Sequence, residues 1–269
     1  MNTTSPLFSQ SHIRHAFSLH AHEYDTHAQL QQSVLFNALR QLEPIFHTDM
    51  TLLDAGCGTG YLVDLLRHCD TAFTVLSCDA AIGMCQQTVE RYNDTHDNLI
   101  TCADITALPY ADESCDMAVS SLTLQWVDNP KDALSELYRV LKPDGYALVT
   151  TFGPMTLQEL REAFSAADDL PHVSDFPDSQ TMQDIVRSVG FSLKNASTEF
   201  RTQNYSSVCD LMHAIRAIGA TNKTHNRRKS FTGRGRFKAM EAAYSEAYET
   251  TRGVPASWEI IYLLLHKEG

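Results

Sequence analysis

Between Ser9 and Phe46 apolar residues return every three or four positions. Ile13 and Phe17 are followed by Leu30, Val34, Leu35, Ala38 and Leu39, a spacing that predicts helix, with Pro44 closing the segment. The pattern then changes. Short apolar runs at Thr51–Ala55, Phe73–Cys78, Leu99–Cys102, Asp116–Ser121 and Tyr146–Phe152 predict strands, and Tyr61–Cys69, Ile82–Tyr92 and Pro130–Leu141 predict the helices between them. Pro130 suits a first helical turn, and Lys142-Pro143-Asp144-Gly145 reads as a turn. The last third is less regular: helices over Thr156–Asp168, over Ser179–Val189 with Gly190 as its stop, over Val208–Ile218, and from about Lys238 to Tyr248, with strands over Phe191–Tyr205 and Trp258–His266. Alternating strands and helices imply an α/β fold, a Rossmann-like, mostly parallel seven-stranded sheet covered by helices on both faces. Four stretches are expected: an N-terminal helical segment over residues 1–46 covering the active site, a core over 47–204, a helical insertion over 205–254 serving as a lid, and the final core strand over 255–269.

The chain has 269 residues and 43% of them are hydrophobic, enough for a full core. No apolar run approaches the roughly 18 residues of a membrane span, and the polar stretch Met1–Gln10 lacks the layout of a secretory signal. The expectation is a cytoplasmic protein without membrane contact. Seven scattered cysteines, none in a Cys-x-x-Cys pair, read as reduced packing thiols. A formal net charge of −12 argues against a nucleic-acid partner. Of twelve histidines, His12, His15, His20, His22 and His27 crowd the start, yet no His-Glu-x-x-His spacing occurs and no metal is expected.

The candidate chemistry begins at Leu52-Leu53-Asp54-Ala55-Gly56-Cys57-Gly58-Thr59-Gly60-Tyr61. Glycines let the backbone turn sharply between strand and helix and let a ligand approach the main chain. A dinucleotide fingerprint, Gly-x-Gly-x-x-Gly, would need glycine where Tyr61 stands. The pattern is Gly-x-Gly-x-Gly behind an acid, and it resembles the first motif of class I S-adenosylmethionine-dependent methyltransferases. Two more acids follow in order: Asp79 at the end of the second strand and Asp104, before Ile105, after the third. The resemblance places Asp79 on the ribose hydroxyls and Asp104, with Ile105, beside the adenine. A carboxylate accepts two hydrogen bonds well, which suits a vicinal diol. Either acid alone could be a solvated loop residue or a helix cap; the joint order carries the reading. Asp54, with Gly56, Gly58 and Gly60, belongs to the same site and is expected to orient the turn.

Over nearly its whole length the chain also resembles the malonyl-acyl-carrier-protein O-methyltransferases of biotin synthesis. The distinctive stretches are Phe17 through Tyr24-Asp25, Ala28-Gln29-Leu30-Gln31, Leu124-Gln125-Trp126, Thr151-Phe152-Gly153-Pro154-Met155-Thr156-Leu157-Gln158-Glu159-Leu160 and Ile215-Arg216-Ala217-Ile218-Gly219-Ala220-Thr221-Asn222. The resemblance implies methyl transfer from S-adenosylmethionine to the free carboxylate of malonyl-acyl-carrier protein, with malonyl-CoA as an alternative acceptor. Such an acid is already ionised at neutral pH, so alignment and exclusion of water suffice. Arg216 is the candidate holder of the carboxylate and Tyr24 a hydroxyl donor near the reacting atoms; a surface arginine and a core aromatic are the plainer alternatives. Gln125, Trp126 and Phe152 are expected in the substrate pocket. Lys223 to Lys238 carries seven basic residues and no acid, which makes Arg227, Arg228 and Lys229 candidates for docking an acidic carrier protein. Two other functions fit the cofactor signature: methylation of a small carboxylic acid or ring carbon, and binding of the cofactor by a regulator without turnover.

Overall fold

The computed structural model describes residues 10–69, 72–92, 98–167, 172–217 and 234–269. The elements run α1 (Gln10–His20), α2 (Tyr24–His27), α3 (Gln29–Leu39), β1 (Met50–Ala55), α4 (Tyr61–Leu66), β2 (Phe73–Asp79), α5 (Ile82–Tyr92), β3 (Asn98–Cys102), β4 (Cys115–Ser121), α6 (Pro130–Val140), β5 (Leu141–Phe152), α7 (Gln158–Ser165), α8 (Ser179–Val189), β6 (Ser192–Tyr205), α9 (Val208–Ala217), α10 (Arg234–Tyr248) and β7 (Val254–His266). The seven strands form one sheet in the order β3-β2-β1-β4-β5-β7-β6. The first five are mutually parallel; β7 runs antiparallel to both β5 and β6. No helix among the described residues is long and apolar enough to cross a membrane.

Neighbouring residues on a strand point to opposite faces, and the core divides accordingly. Leu52, Leu148 and Ile260 pack under α3, α4, α7 and α10 on one face, while Leu53, Val149 and Ile261 pack against α6 and α8 on the other. Burial on both faces explains why β1 and β4 read as continuous apolar runs rather than alternating ones. Edge strand β6 is half-exposed along its length, so its pattern was weaker. Local chemistry ends the helices cleanly where it is present. Asn129 caps α6 ahead of Pro130 by accepting from the Lys131 amide. Asp178 caps α8 by accepting from the Thr181 amide at 2.7 Å, and Gly190 terminates it in the left-handed region.

Several boundaries differ from the sequence pattern: α4 stops at Leu66, α10 begins at Arg234 and β7 at Val254, and three differences have a visible cause. The N-terminal periodicity is carried by three helices, with Pro44 inside a single 3-10 turn at Glu43–Ile45. Strand β5 starts at Leu141, and Lys142–Gly145 loops out within it: Leu141 pairs with Cys115, but the next partners are Tyr146 and Met117. Helix α7 is shorter than its apolar spacing suggested, because the chain before it is bonded to β7 instead. The Gly153 amide donates to the Glu259 carbonyl at 2.9 Å and the Leu157 amide to the Ser257 carbonyl at 2.7 Å. A Cβ on Gly153 would stand 2.4 Å from the Glu259 carboxyl carbon, so this close approach requires glycine.

Candidate active site

The turn after β1 is locked from below and from the side. The Gly56 and Cys57 amides both donate to the Cys78 carbonyl, at 2.8 and 2.9 Å, and the Gly58 amide donates to Asp79 Oδ2 at 3.0 Å. Three successive carbonyls of the turn are then taken by one face of α5. Thr88 Oγ1 donates to Gly58 at 2.9 Å, the Arg91 guanidinium to Thr59 at 3.2 Å and the Tyr92 hydroxyl to Gly60 at 2.9 Å. All three glycines have positive φ. Gly56 and Gly60 have no room for a side chain: a Cβ would meet Thr123 Oγ1 at 2.1 Å and the Tyr92 ring at 2.6 Å respectively. Gly58 is different, since its nearest neighbour would be Tyr24 Cε1 at 3.9 Å. It faces open space beneath Tyr24.

That space is part of a cleft open to solvent on one side. It gathers Tyr24, Gly56, Gly58, Asp79, Asp104 and Ile105 from the sequence-predicted set, and also Gln125, Trp126 and Phe152. Asp79 accepts from the Ala81 amide at 2.7 Å as well as from Gly58. A carboxylate has about four acceptor positions, so two remain for a ligand. Burial raises its pKa to about 6, against the pull of the two amides and of Arg14. Asp54 lies deeper. Burial, reinforced by the nearby Asp79 charge, raises its pKa to about 8, and its Oδ2 has no partner. The turn's amides are held by Asp79 and by the Cys78 carbonyl. Asp104 accepts from both the amide and the hydroxyl of Thr106 and forms an ion pair with Arg14 of α1.

Helices α1 and α2 close the front of the cleft. Gln10 donates to the Trp126 carbonyl at 3.1 Å. The backbone of Ser18 lies so close to α5 that a Cβ on Gly83 would be 2.4 Å from the Ser18 carbonyl oxygen. Phe17 packs edge-on to Trp126 with ring centroids 5.3 Å apart, and lies 6.4 Å from the Tyr24 ring. The Tyr24 phenol is held well above its ordinary pKa by burial first and by the Asp79 and Asp25 charges second. It therefore stays neutral, a hydrogen-bond donor rather than a base. Gln125 is buried, and its amide donates to the Leu122 carbonyl at 2.6 Å, which fixes the wall of the cleft.

A second chamber adjoins the first across Trp126, Phe152 and Trp258, which border both. Its far side is apolar, with Phe176, Met212 and Ile215, and Arg216 stands on it. Arg216 does not line the cofactor-side cleft. It is exposed, and it also borders a shallow opening to the surface between α1–α2 and α9. Gly60 holds the turn without lining the cleft. Arg227, Arg228 and Lys229 lie outside the described residues, as do Ile218–Asn222; Arg236 and Lys238 of the same basic stretch are exposed on α10. Among the described residues no group of three or more His, Cys, Asp or Glu side chains could hold a metal ion.

Gln31, from the stretch Ala28–Gln31, and Trp258 line the cleft, and each has a buried polar atom without a partner, Oε1 and Nε1. Trp258 reads in the sequence only as the start of an apolar strand. Arg14, Thr88, Arg91 and Tyr92 act across long sequence separations that periodicity does not report.

The model of the methyltransferase domain family matches residues 53–149. A malonyl-[acyl-carrier protein] O-methyltransferase from Xylella fastidiosa is 37% identical over 95% of this chain and 87% of its own length. The biotin biosynthesis bifunctional protein BioHC of Teredinibacter turnerae is 34% identical over 98% of this chain, which spans 48% of that longer protein. Among solved structures, a protein from Bacillus halodurans described as a methyltransferase superposes with a TM-score of 0.63, at 15% identity, over 88% of this chain and 100% of that one. The last likeness concerns fold alone.

Proposed function

The chain belongs to the malonyl-[acyl-carrier protein] O-methyltransferase family, and from that membership we infer that it transfers a methyl group from S-adenosylmethionine to the free carboxylate of a malonyl thioester on acyl-carrier protein, a step of biotin synthesis. The observation that carries this reading is the similarity over nearly the full length of both chains. Likeness confined to the cofactor half would support only methyl transfer to some acceptor.

The residues present suit the cofactor. Gly58 leaves an open cradle and Asp79 keeps two acceptor positions free. When bound, S-adenosylmethionine supplies a methyl group on a sulfonium, a good leaving group. In this reading Asp79 accepts from the ribose hydroxyls, Asp104 and Ile105 border the adenine, and Gly56, Gly58 and Gly60 shape the turn that the cofactor lies on.

The protein's own contribution is to bind, orient and keep water out. No general base is needed, because a carboxylic acid with a pKa of about 4 is ionised at neutral pH. Tyr24 donates its phenolic hydrogen to an acceptor oxygen at the front of the cleft. Trp126 and Phe152, bordering both cavities, form the apolar collar through which the carboxylate meets the cofactor side, and Gln125 braces that wall. Arg216 approaches from the second chamber and neutralises the malonyl group while the arm of the carrier runs out between α2 and α9. Helices α9 and α10 serve as the lid, and the basic stretch containing Arg227, Arg228 and Lys229 receives the acidic carrier.

The test is a competition of acceptors. With labelled cofactor, malonyl-carrier protein should gain label far faster than free malonate or other small acids at equal concentration. Preference for a free acid would replace this reading with small-molecule methylation.

A further inference from the structure

Asp25 follows Tyr24 on α2, a helix of four residues in which Tyr24 and Asp25 are half-buried, the other two are exposed and no side chain caps the start. So short a helix has little to hold it in place. Its anchor is the Asp25 carboxylate. One oxygen accepts from the buried Thr59 hydroxyl in the glycine turn at 2.5 Å, and the other is paired with the Arg91 guanidinium of α5. Arg91 in turn donates to the Thr59 carbonyl and lies 3.5 Å from Asp64. Burial lowers the Arg91 pKa, but the hydrogen bond and charge of Asp25 outweigh it and the net shift is upward. Three segments remote in sequence therefore meet at one carboxylate: the helix bearing Tyr24, the turn and α5. Tyr24 stands directly over the same turn, its Cε1 being the nearest atom to the open side of Gly58.

We propose that Asp25 is a positioning residue, which ties Tyr24 to the cofactor turn through Thr59 and Arg91 and so fixes the Tyr24 hydroxyl relative to the reacting atoms. The inference rests on the reading of Tyr24 as a hydroxyl donor to the acceptor. It also makes the family stretch Tyr24-Asp25 a unit: one residue touches substrate and the next holds it in register. The turn keeps its other bonds, from Thr88, Tyr92, Asp79 and Cys78, so loss of Asp25 should displace Tyr24 without dismantling the cofactor site.

A double-mutant cycle with malonyl-carrier protein as acceptor tests this. Asp25→Ala should lower kcat about tenfold, the scale of one charge-assisted hydrogen bond, and leave the calorimetric Kd for S-adenosylmethionine within about threefold. Asp25→Asn keeps an oxygen for Thr59 but loses the charge facing Arg91, and should fall between Asp25→Ala and the native protein. It carries the cycle if Asp25→Ala folds poorly by circular dichroism. If Asp25 acts through Tyr24, then Asp25→Ala in a Tyr24→Phe background should cost less than about twofold further. Losses that multiply, with an active native enzyme, would overturn the proposal alone. A Tyr24→Phe protein of native rate would overturn it together with the role of Tyr24. Native protein that leaves malonyl-carrier protein unmethylated would instead remove the functional reading, and the proposal with it.

Discussion

The two halves of the site are held by different kinds of contact. On the cofactor side, main-chain amides and carbonyls of one turn are bonded individually by Cys78, Asp79, Thr88, Arg91 and Tyr92. On the side proposed for the acceptor, elements from distant parts of the chain meet mainly through rings and aliphatic side chains. Phe152 lies 5.3 Å from Trp258 and 5.7 Å from Phe176, and Met212 and Ile215 complete the chamber. A hydrogen-bonded turn tolerates almost no change in backbone shape, whereas an apolar chamber accepts volume-conserving swaps at small cost. In the proposed reading cofactor recognition is thus rigid, and acceptor recognition is set by what the chamber and Arg216, its one guanidinium among the described residues, admit.

The largest expected effect lies at the turn. Gly60→Ala forces a side chain into the Tyr92 ring and Thr88 at a φ of 84°. It should cost about 3 kcal/mol of stability by chemical denaturation and abolish measurable cofactor binding. Replacing Met212 by Leu in the chamber should cost less than about 1.5 kcal/mol. Equal costs at the two positions would break the contrast. Next in size, Asp79→Ala should weaken S-adenosylmethionine by about 2 kcal/mol in calorimetry, since two ribose hydroxyls lose their acceptor.

The pH dependence of cofactor binding sharpens the same point. Asp79 must be ionised to accept both hydroxyls, and its pKa in the protein is about 6. Affinity should therefore be flat above about pH 7 and fall as pH drops through 6, with proton release on binding near pH 6 that Asp79→Asn removes. Arg216→Ala comes next: about a tenfold loss in kcat/KM for malonyl-carrier protein at unchanged cofactor affinity. Arg216→Lys should rescue it in part, because an ammonium lacks the planar fork. A matching loss of cofactor affinity would show that the two halves are not separable. The last effect is on the pH dependence of stability rather than on binding or turnover. Asp54 has a folded-state pKa of about 8, above its unfolded value, so the folded protein binds the extra proton across that interval. Ligand-free protein should lose stability as pH rises from about 4 to 8, and Asp54→Asn should flatten that slope in thermal melts.

The contrast also explains what was legible in the sequence. Strands β1, β2 and β4, the turn at Gly56–Gly60 and the acids at strand ends are local signals: a buried run, a glycine spacing, a carboxylate where a strand stops. They could be read residue by residue, and the cleft brings Gly56, Gly58, Asp79, Asp104 and Ile105 together. The looped Lys142–Gly145 was visible as turn chemistry, but its inclusion inside β5 depends on pairing with β4, which no local pattern encodes. Helix α7 was overestimated because Glu259 and Ser257, a hundred residues away, claim the preceding backbone. The position of Arg216 on the second chamber, rather than on the cofactor cleft, follows from where α9 packs. The same is true of Asp25, whose partners Thr59 and Arg91 are remote in sequence.

The division of labour between a generic cofactor half and a selective acceptor half meets its most direct test in the product itself. Purified protein, S-adenosylmethionine and malonyl-acyl-carrier protein are incubated, and the carrier is examined by intact and fragment mass spectrometry. One added methyl group per carrier is expected, located by fragmentation on the malonyl carboxylate as an ester. An unchanged carrier, or a methyl group found on carbon or on the protein, would contradict the account.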